Sequence, residues 1–368
     1  MKALTDYENL SHEELRARVK AVRDAAGDRL AIFAHYYIVD EVVEIADVIG
    51  DSLALAQRAA ESKAEALLFC GVHFMLETAD ILANRPEKVE ARGGKRMTVM
   101  APEATAGCPM ADMITAEQAY AWKEALSQYV DFSEFTPVSY VNSSAATKAF
   151  CGENGGAICT SANAEKVLRE AFSRRPKALF MPDSRLGRTT SLALGVKPEE
   201  IALWDPRTKE PLGGLTPEEI KRAKVILWDG FCPTHQRFSA QFIKNFRKDY
   251  PDGQVWVHPE AQRAIVELSD GYGSTSKLID VVSKAPASST FAIGTEWKLV
   301  QRLKAQNPDK TIVWPGDEPK ICSNMTKASL AKVAWVLENW LEGNPINVVT
   351  VPDAVAEPAF LSLKSLLK

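Results

Sequence analysis

The sequence predicts an α/β protein in which one small unit occurs three times. Short apolar runs, typical of buried parallel strands, alternate with helical patterns of about ten residues, which indicates βαβ units. This order starts again at each of three runs, AIFAHY, VSYVN and VWVHPE. One cysteine follows the last strand of every copy. We therefore predict three α/β/α domains with short parallel sheets, related by a pseudo-threefold axis around a central cavity.

The three Rossmann-like domains are expected at residues 1–115, 116–245 and 246–368. The first begins with a helix whose capping-box residues are Ser11 and Glu14. The third is expected to include the C-terminal helices. The predicted strands are 31–36, 66–71, 97–102, 138–142, 157–161, 178–183, 225–230, 255–260, 271–276, 291–296 and 311–316. The middle copy is interrupted by a turn-rich insertion at 191–222, which we expect to be a surface excursion.

Composition excludes several classes of protein. The 368 residues are 46% hydrophobic and 25% charged, as in globular proteins, and the net charge is −4. A basic footprint is missing, so nucleic acid is not an expected partner. No apolar run approaches the ~20 residues of a membrane span, and the charged N-terminus does not resemble a signal peptide. We expect a cytoplasmic protein without a membrane partner.

Polar residues recur at matching positions of the three copies. His35, Asn142 and His258 end the first strand of each copy. A hydroxyl residue that opens the next helix follows 17, 19 and 17 positions later, and these residues are Ser52, Ser161 and Thr275. Turn and N-cap chemistry also produces such patterns in unrelated α/β proteins. If the strand ends meet, helix N-termini and hydroxyls would bind a small polyanion.

Four further side chains accompany these strand ends. Alternate residues of a strand point the same way, so Tyr37 is expected to share the side of His35, and Tyr140 that of Asn142. His258 and Glu260 form a candidate acid/base pair, although HPE also suits a plain helix start. His235 follows Cys232 in WDGFCPTH and could orient substrate, transfer protons or cap a helix.

The repeated cysteines, Cys108, Cys232 and Cys322, suggest a metal site. They are far apart in the chain and no CxxC pair is present, which disfavours structural zinc. Three thiolates suit a [4Fe–4S] cluster with one open iron, which could act as a Lewis acid in a dehydration. A zinc site joining three domains stays an alternative.

The other cysteines and one histidine pair carry weaker signals. Cys70 and Cys159 lie in apolar strands and are expected in the core, whereas Cys151 in CGENGG is expected to be exposed. His73 and Glu77 share one helical face, a spacing that allows metal ligation or a plain surface pair.

The motifs closely resemble the quinolinate synthase family from about residue 30 to 345. They are AHYY, GDSLALAQ, FCGVHFMLETADIL, AGCPMAD, YVNSSAATKA, CTSANA, MPDSRLGR, WDGFCPTH, HPE, GSTS and IGTE. The resemblance implies a [4Fe–4S] cluster on Cys108, Cys232 and Cys322 with one open iron. It also implies condensation of iminoaspartate with dihydroxyacetone phosphate to quinolinate, with loss of two waters and phosphate. The implied substrate contacts are His35, Tyr37, Ser52, Tyr140, Asn142, Ser161, His235, His258, Glu260 and Thr275.

The resemblance gives each group a role. His35, Tyr37, His235, His258 and Glu260 are the expected catalytic residues, and Glu260 is the preferred base. Transient contact with an aspartate oxidase or dehydrogenase would supply iminoaspartate, and a homodimer is compatible with the chain. The alternative from another class is a non-catalytic iron–sulfur sensor, which would not need this constellation.

Overall fold

The computed structural model describes residues 2–367, which form three short, mostly parallel sheets flanked by helices. The predicted α/β class is therefore confirmed. No helix within this range combines the length and the apolar composition that crossing a bilayer requires. The fourteen strands, numbered in chain order, are β1 Leu30–His35, β2 Val48–Gly50, β3 Ala66–Cys70, β4 Thr98–Met100, β5 Phe135–Tyr140, β6 Ala157–Cys159, β7 Lys177–Met181, β8 Ile201–Trp204, β9 Val225–Trp228, β10 Gln254–Val257, β11 Gly271–Tyr272, β12 Thr290–Gly294, β13 Thr311–Val313 and β14 Val348–Val349.

The helices fill the crossovers between the parallel strands and lie before and after the sheets. In chain order they are α1 Thr5–Glu8, α2 His12–Ala26, α3 Asp40–Val43, α4 Ser52–Glu61, α5 His73–Ala83, α6 Pro86–Ala91, α7 Ala116–Ser127, α8 Ala145–Glu153, α9 Ala164–Arg174, α10 Ser184–Ala193, α11 Pro217–Arg222, α12 Ala240–Asp249, α13 Arg263–Leu268, α14 Thr275–Lys284, α15 Trp297–Gln306, α16 Leu330–Leu341 and α17 Asp353–Leu363. Short 3₁₀ turns connect several of them, including Pro233–Gln236.

One strand order is common to the three sheets. The orders are β14-β4-β3-β1-β2, β6-β5-β7-β9-β8 and β11-β10-β12-β13. In each, the first strand of the copy lies between its second and third strands, and the strand paired with the other edge of the third is β4, β9 or β13. This order confirms the repeat read from the sequence. It also places the end of each first strand at a topological switch point, where ligands bind in open α/β sheets.

Helix α2, which precedes the first sheet, follows the sequence signals closely. Ser11 accepts a hydrogen bond from the Glu14 amide, and the Glu14 side chain accepts one from the Ser11 amide, so the predicted capping box forms at α2. Gly27 ends α2 with φ 55°, a conformation that glycine adopts without a Cβ clash.

The insertion is more than a surface excursion. Its strand β8 pairs in parallel with β9 and extends the second sheet, from Ile201 opposite Val225 to Trp204 opposite Trp228. Trp204 also packs near Trp122 of α7, with ring centroids 6.0 Å apart. The expectation of an excursion was therefore incomplete, because the edge of β9 offers backbone hydrogen bonds to the four-residue run IALW.

The chain divides into two compact units. One contains the residues up to Cys108 together with Cys322–Asp353, and here β14 pairs antiparallel with β4 of the first sheet. The other contains Pro109–Ile321 and the residues from Ala354 onward, and so holds the second and third sheets. The arrangement of three domains around a cavity, with the boundaries given above, stays a prediction.

Candidate active site

In the first unit, His35 and Tyr37 lie together at the end of β1. Both side chains are buried, and their rings meet edge to face with centroids 4.6 Å apart. The amide of Tyr37 donates to Nδ1 of His35 at 3.2 Å. Because that nitrogen accepts, the neutral ring carries its proton on Nε2, which can donate to a ligand.

Ser52 is the first residue of α4 in the same unit, as predicted. The N-cap is its neighbour Asp51, whose carboxylate accepts from the amides of Leu53 and Ala54 at 3.1 and 3.0 Å. This cap already occupies two of the N–H groups at the helix start. The hydroxyl of Ser52 is therefore a better candidate ligand group than those two amides.

In the second unit, three predicted side chains converge on Glu260. Nδ1 of His235 lies 2.7 Å from Oε2 of Glu260, and Nδ1 of His258 lies 3.7 Å from Oε1. The hydroxyl of Tyr140 hydrogen-bonds to the same carboxyl. His235, His258 and Glu260 are each no more than 3% exposed, and the two imidazole rings stack at 4.5 Å. These groups follow the carboxyl ends of β5, β9 and β10, where a parallel-sheet site is expected.

The charge of this cluster is fixed by its own members. Burial by itself raises the pKa of Glu260, whereas electrostatic interactions with the imidazoles of His258 and His235 lower it. Hydrogen bonds from His235 and Tyr140 act in the same direction, and together these effects lower the pKa of the carboxyl to about 2. Glu260 is therefore an anion at neutral pH, held by donors on several sides.

Backbone contacts tie the loops of the cluster to one another. The side-chain amide Nε2 of Gln236 donates to the backbone carbonyl of Cys232 at 3.2 Å and to that of Glu260 at 2.9 Å. His235 also donates its backbone N–H to the Cys232 carbonyl at 3.2 Å. The turn that carries Cys232 and His235 is thus fixed against the HPE segment, which positions both side chains beside Glu260.

The remaining predicted polar residues occupy the same unit. Thr275 is buried at the first position of α14, as predicted. Ser161 was expected to open a helix, but it lies in a turn three residues before α9, whose N-cap is Asn163. The side chain of Asn163 accepts a hydrogen bond from the Thr160 amide at 2.7 Å, and this contact closes a turn that places Ser161 outside the helix. Oδ1 of Asn142 is buried and has no hydrogen-bond partner within residues 2–367, so it can accept from a ligand.

The six cysteines fall into two groups of three. Cys108, Cys232 and Cys322 are partly exposed, whereas Cys70, Cys151 and Cys159 are buried. Burial raises the pKa of all three buried thiols, that of Cys151 to about 12. Thiolates bind metals, so only the partly exposed group suits ligation. The expectation that Cys151 is exposed was wrong: it belongs to α8, which α17 covers so closely that a Cβ on Gly152 would lie 1.8 Å from the Pro358 carbonyl oxygen.

His73 and Glu77 occupy the first two turns of α5, with Nε2 of the histidine 3.7 Å from the carboxylate. Half of the His73 side chain is exposed. Among residues 2–367, three or more metal-ligating side chains come together only at Cys232, His235 and Glu260. The surface-pair interpretation is therefore favoured for His73 and Glu77.

Asp183 is a site residue that the sequence reasoning did not single out. It follows β7 in MPDSRLGR, and its Oδ1 caps α10 by accepting from the amides of Arg185 and Leu186, both at 2.8 Å. Its Oδ2 is buried without a hydrogen-bond partner in the described part of the chain. Burial and the negative charge of Glu260 raise the pKa of Asp183 well above its usual value. A polar residue after the third strand of the copy was the available signal.

Replacing Asp183 with asparagine is expected to raise the melting temperature at neutral pH. The unfolded carboxyl ionises above about pH 4, whereas burial raises the pKa of the folded one. The free energy that burying Asp183 costs therefore grows as the pH rises from the unfolded pKa towards the folded pKa. Asparagine keeps the cap acceptor and removes this cost. Thermal melts are recorded from pH 4.5 to 8. The unfolding free energy of the asparagine variant should exceed that of the parent by an amount that increases by at most about 1.4 kcal/mol per pH unit.

The control for this comparison is Asp183→Ala, which removes the cap acceptor and should be about 1 kcal/mol less stable than the asparagine variant. A melting temperature of Asp183→Asn below that of the parent at pH 8 would mean that the native side chain is ionised, contrary to this account.

Comparison with known proteins shows the family of this chain. The family model described as quinolinate synthetase A protein matches residues 17–368. A protein of Rhodopirellula baltica named quinolinate synthase is 42% identical over 365 residues, covering 99% of this chain and 93% of that protein. A protein of the same name from Corynebacterium glutamicum is 44% identical over 98% of this chain and 89% of its own length. Another from Bacillus subtilis is 42% identical over 98% of this chain and 95% of its own length. The chain therefore belongs to the quinolinate synthetase A protein family.

Proposed function

We propose that the chain condenses iminoaspartate with dihydroxyacetone phosphate and releases quinolinate, two waters and phosphate. The observation that carries this proposal is the buried cluster of Tyr140, His235 and His258 around Glu260 at the carboxyl ends of parallel strands. Ring formation by dehydration needs several proton transfers in a site shielded from water, and this cluster combines proton donors and acceptors with burial. A non-catalytic sensor would have no need for it.

We further propose that Cys108, Cys232 and Cys322 hold a [4Fe–4S] cluster with one open iron. Their partial exposure supports this assignment, because the other three thiols are buried and held protonated. Three cysteine ligands leave one iron without a protein thiolate. When bound, the cluster supplies a Lewis acid that polarises a C–O bond of the substrate.

Glu260 is proposed to act through the imidazoles. A carboxyl with a pKa of about 2 is a weak proton acceptor at neutral pH, which favours the imidazoles over Glu260 itself as the base. Because Oε2 of Glu260 lies 2.7 Å from Nδ1 of His235, the carboxylate holds a proton on that nitrogen and leaves Nε2 as the acceptor of the neutral ring. The carboxylate also balances the positive charge that appears when His235 takes a proton.

The hydroxyls and the first-unit pair are proposed to bind the anionic parts of the substrates. Ser52, Ser161 and Thr275 would donate to carboxylate or phosphate oxygens. His35 would donate from Nε2, as its Nδ1 already accepts from the Tyr37 amide. Asn142 would accept through Oδ1 from a hydroxyl or amine of the substrate.

The proposal is tested on protein purified and assayed without oxygen. We expect about four irons and four sulfides per chain, a brown colour, and quinolinate formed when iminoaspartate and dihydroxyacetone phosphate are both supplied. Omitting dihydroxyacetone phosphate is the control. A colourless protein with one tightly bound zinc, or an iron–sulfur protein that forms no quinolinate, would contradict the proposed reaction.

A further inference from the structure

A compact set of metal-ligating side chains lies inside the second unit. Cys232, His235 and Glu260 each offer one ligand atom, and these atoms all lie within 4.8 Å of one another. His235 lies in the 3₁₀ turn Pro233–Gln236, and Cys232 is the N-cap of this turn. The third comes from the segment that Gln236 joins to this turn. The set is therefore held together by hydrogen bonds from the Gln236 side chain to both segments.

The chemistry of the three donors matches zinc. A thiolate, an imidazole and a carboxylate are the three kinds of protein ligand that zinc takes, and together they carry two negative charges. Zinc sites with three protein ligands keep a fourth position for water. Such nitrogen, oxygen and sulfur sets also bind zinc more strongly than ferrous iron.

The distances require a modest contraction. Donor atoms around a tetrahedral zinc lie about 3.5 Å apart, as follows from bond lengths of about 2.0–2.3 Å. The present upper limit is 4.8 Å, so rotation of the partly exposed Cys232 side chain would complete the site. His235 and Glu260 are already in hydrogen-bond contact at 2.7 Å and have little distance to cover.

We propose that the cluster-free chain binds one Zn²⁺ through Cys232, His235 and Glu260, with water as the fourth ligand. Binding releases the thiol proton of Cys232 to solvent and shifts the proton of the neutral His235 ring from Nδ1 to Nε2. One Zn–S, one Zn–N and one Zn–O bond then form. The zinc site itself does not depend on the proposed function. A consequence does: if Cys232 is a cluster ligand, bound zinc blocks cluster assembly by occupying that sulfur.

Zinc binding is measured on the full-length, cluster-free chain without oxygen, using ZnCl₂ in competition with a chromophoric chelator. We expect one zinc per chain, and X-ray absorption should show one sulfur among nitrogen and oxygen ligands. Cys232→Ser, His235→Asn and Glu260→Gln should each weaken binding at least tenfold. Cys108→Ser and Cys322→Ser are the matched controls and should bind zinc as the parent does.

Circular dichroism establishes that each variant is folded, and the three ligand variants give independent readings should one of them misfold. If the parent chain does not bind one zinc, the proposal is overturned. So would three sulfur ligands together with loss of binding in Cys108→Ser and Cys322→Ser, although that result would support the proposed cysteine ligand set.

A second measurement tests the competition. Reconstitution of the parent with iron and sulfide should fail when one equivalent of zinc is added first, and should recover when a zinc chelator is present. His235→Asn should assemble the cluster with or without zinc, because His235 is not among the proposed cluster ligands. Equal inhibition of the parent and this variant would contradict the assigned zinc ligands.

Discussion

Replacing Cys232 with serine is expected to abolish both the iron–sulfur cluster and quinolinate formation. A serine hydroxyl is a poor ligand for iron in a thiolate cluster, since it is harder than sulfur and stays protonated at neutral pH. In the proposed reaction a Lewis acid would contribute several kcal/mol to lowering the barrier, so we expect a loss of activity on the order of 10³-fold or more. Iron and sulfide analysis, visible absorption and a quinolinate assay measure the three consequences.

The other cysteines supply the comparison. Cys108→Ser and Cys322→Ser should behave as Cys232→Ser does, whereas Cys70→Ala and Cys159→Ala should keep about four irons per chain, because these two thiols are buried and their pKa values are raised by burial. A brown Cys232→Ser protein with four irons and parental activity would exclude Cys232 from the ligand set.

Replacing Glu260 with glutamine should leave the cluster intact and lower quinolinate formation by about 10²-fold or more. The amide has nearly the shape of the carboxyl, so the segment should keep its fold. It carries no negative charge, however, and cannot balance a proton on His235 or His258. The nearly isosteric change thus separates the charge of Glu260 from its packing. The quinolinate assay gives the loss, and iron analysis with visible absorption shows whether the cluster remains.

Glu267→Gln is a suitable control. Glu267 lies on α13, is more than half exposed and pairs with Arg263, so its charge is outside the buried cluster. We expect this variant to retain parental activity and cluster content. Full activity of Glu260→Gln would remove Glu260 from the reaction, and loss of iron in that variant would show that its main effect is on the cluster.

Local patterns predicted most of the secondary structure and part of the site. Ser11 and Glu14 lie close in sequence, and their capping box formed as expected. The apolar runs became strands because burial on both faces of a parallel sheet selects such runs. His35 ends β1 and Thr275 opens α14, as predicted, because the turn and cap signals that set these boundaries act over only a few residues. The family resemblance gave the reaction, since it rests on whole motifs in a fixed order.

Long-range pairing escaped the sequence reasoning. The strand β8 depends on a free edge of β9, and β14 depends on β4, which lies more than 240 residues earlier. Cys151 was misplaced because α17, near the end of the chain, covers α8. None of these partners leaves a periodic signal in the segment itself, so propensity alone could not find them.

The site divides in the same way. From the sequence alone came the α/β repeat, the set of candidate residues and the separation of three recurring cysteines from three others. The tertiary structure decided that Tyr140, His235 and His258 surround Glu260, that the pKa of this carboxyl is lowered, and that the pKa of Asp183 is raised well above its ordinary value. The reason is physical: ionisation depends on burial and on charges a few ångströms away, and folding alone sets which distant residues become those neighbours.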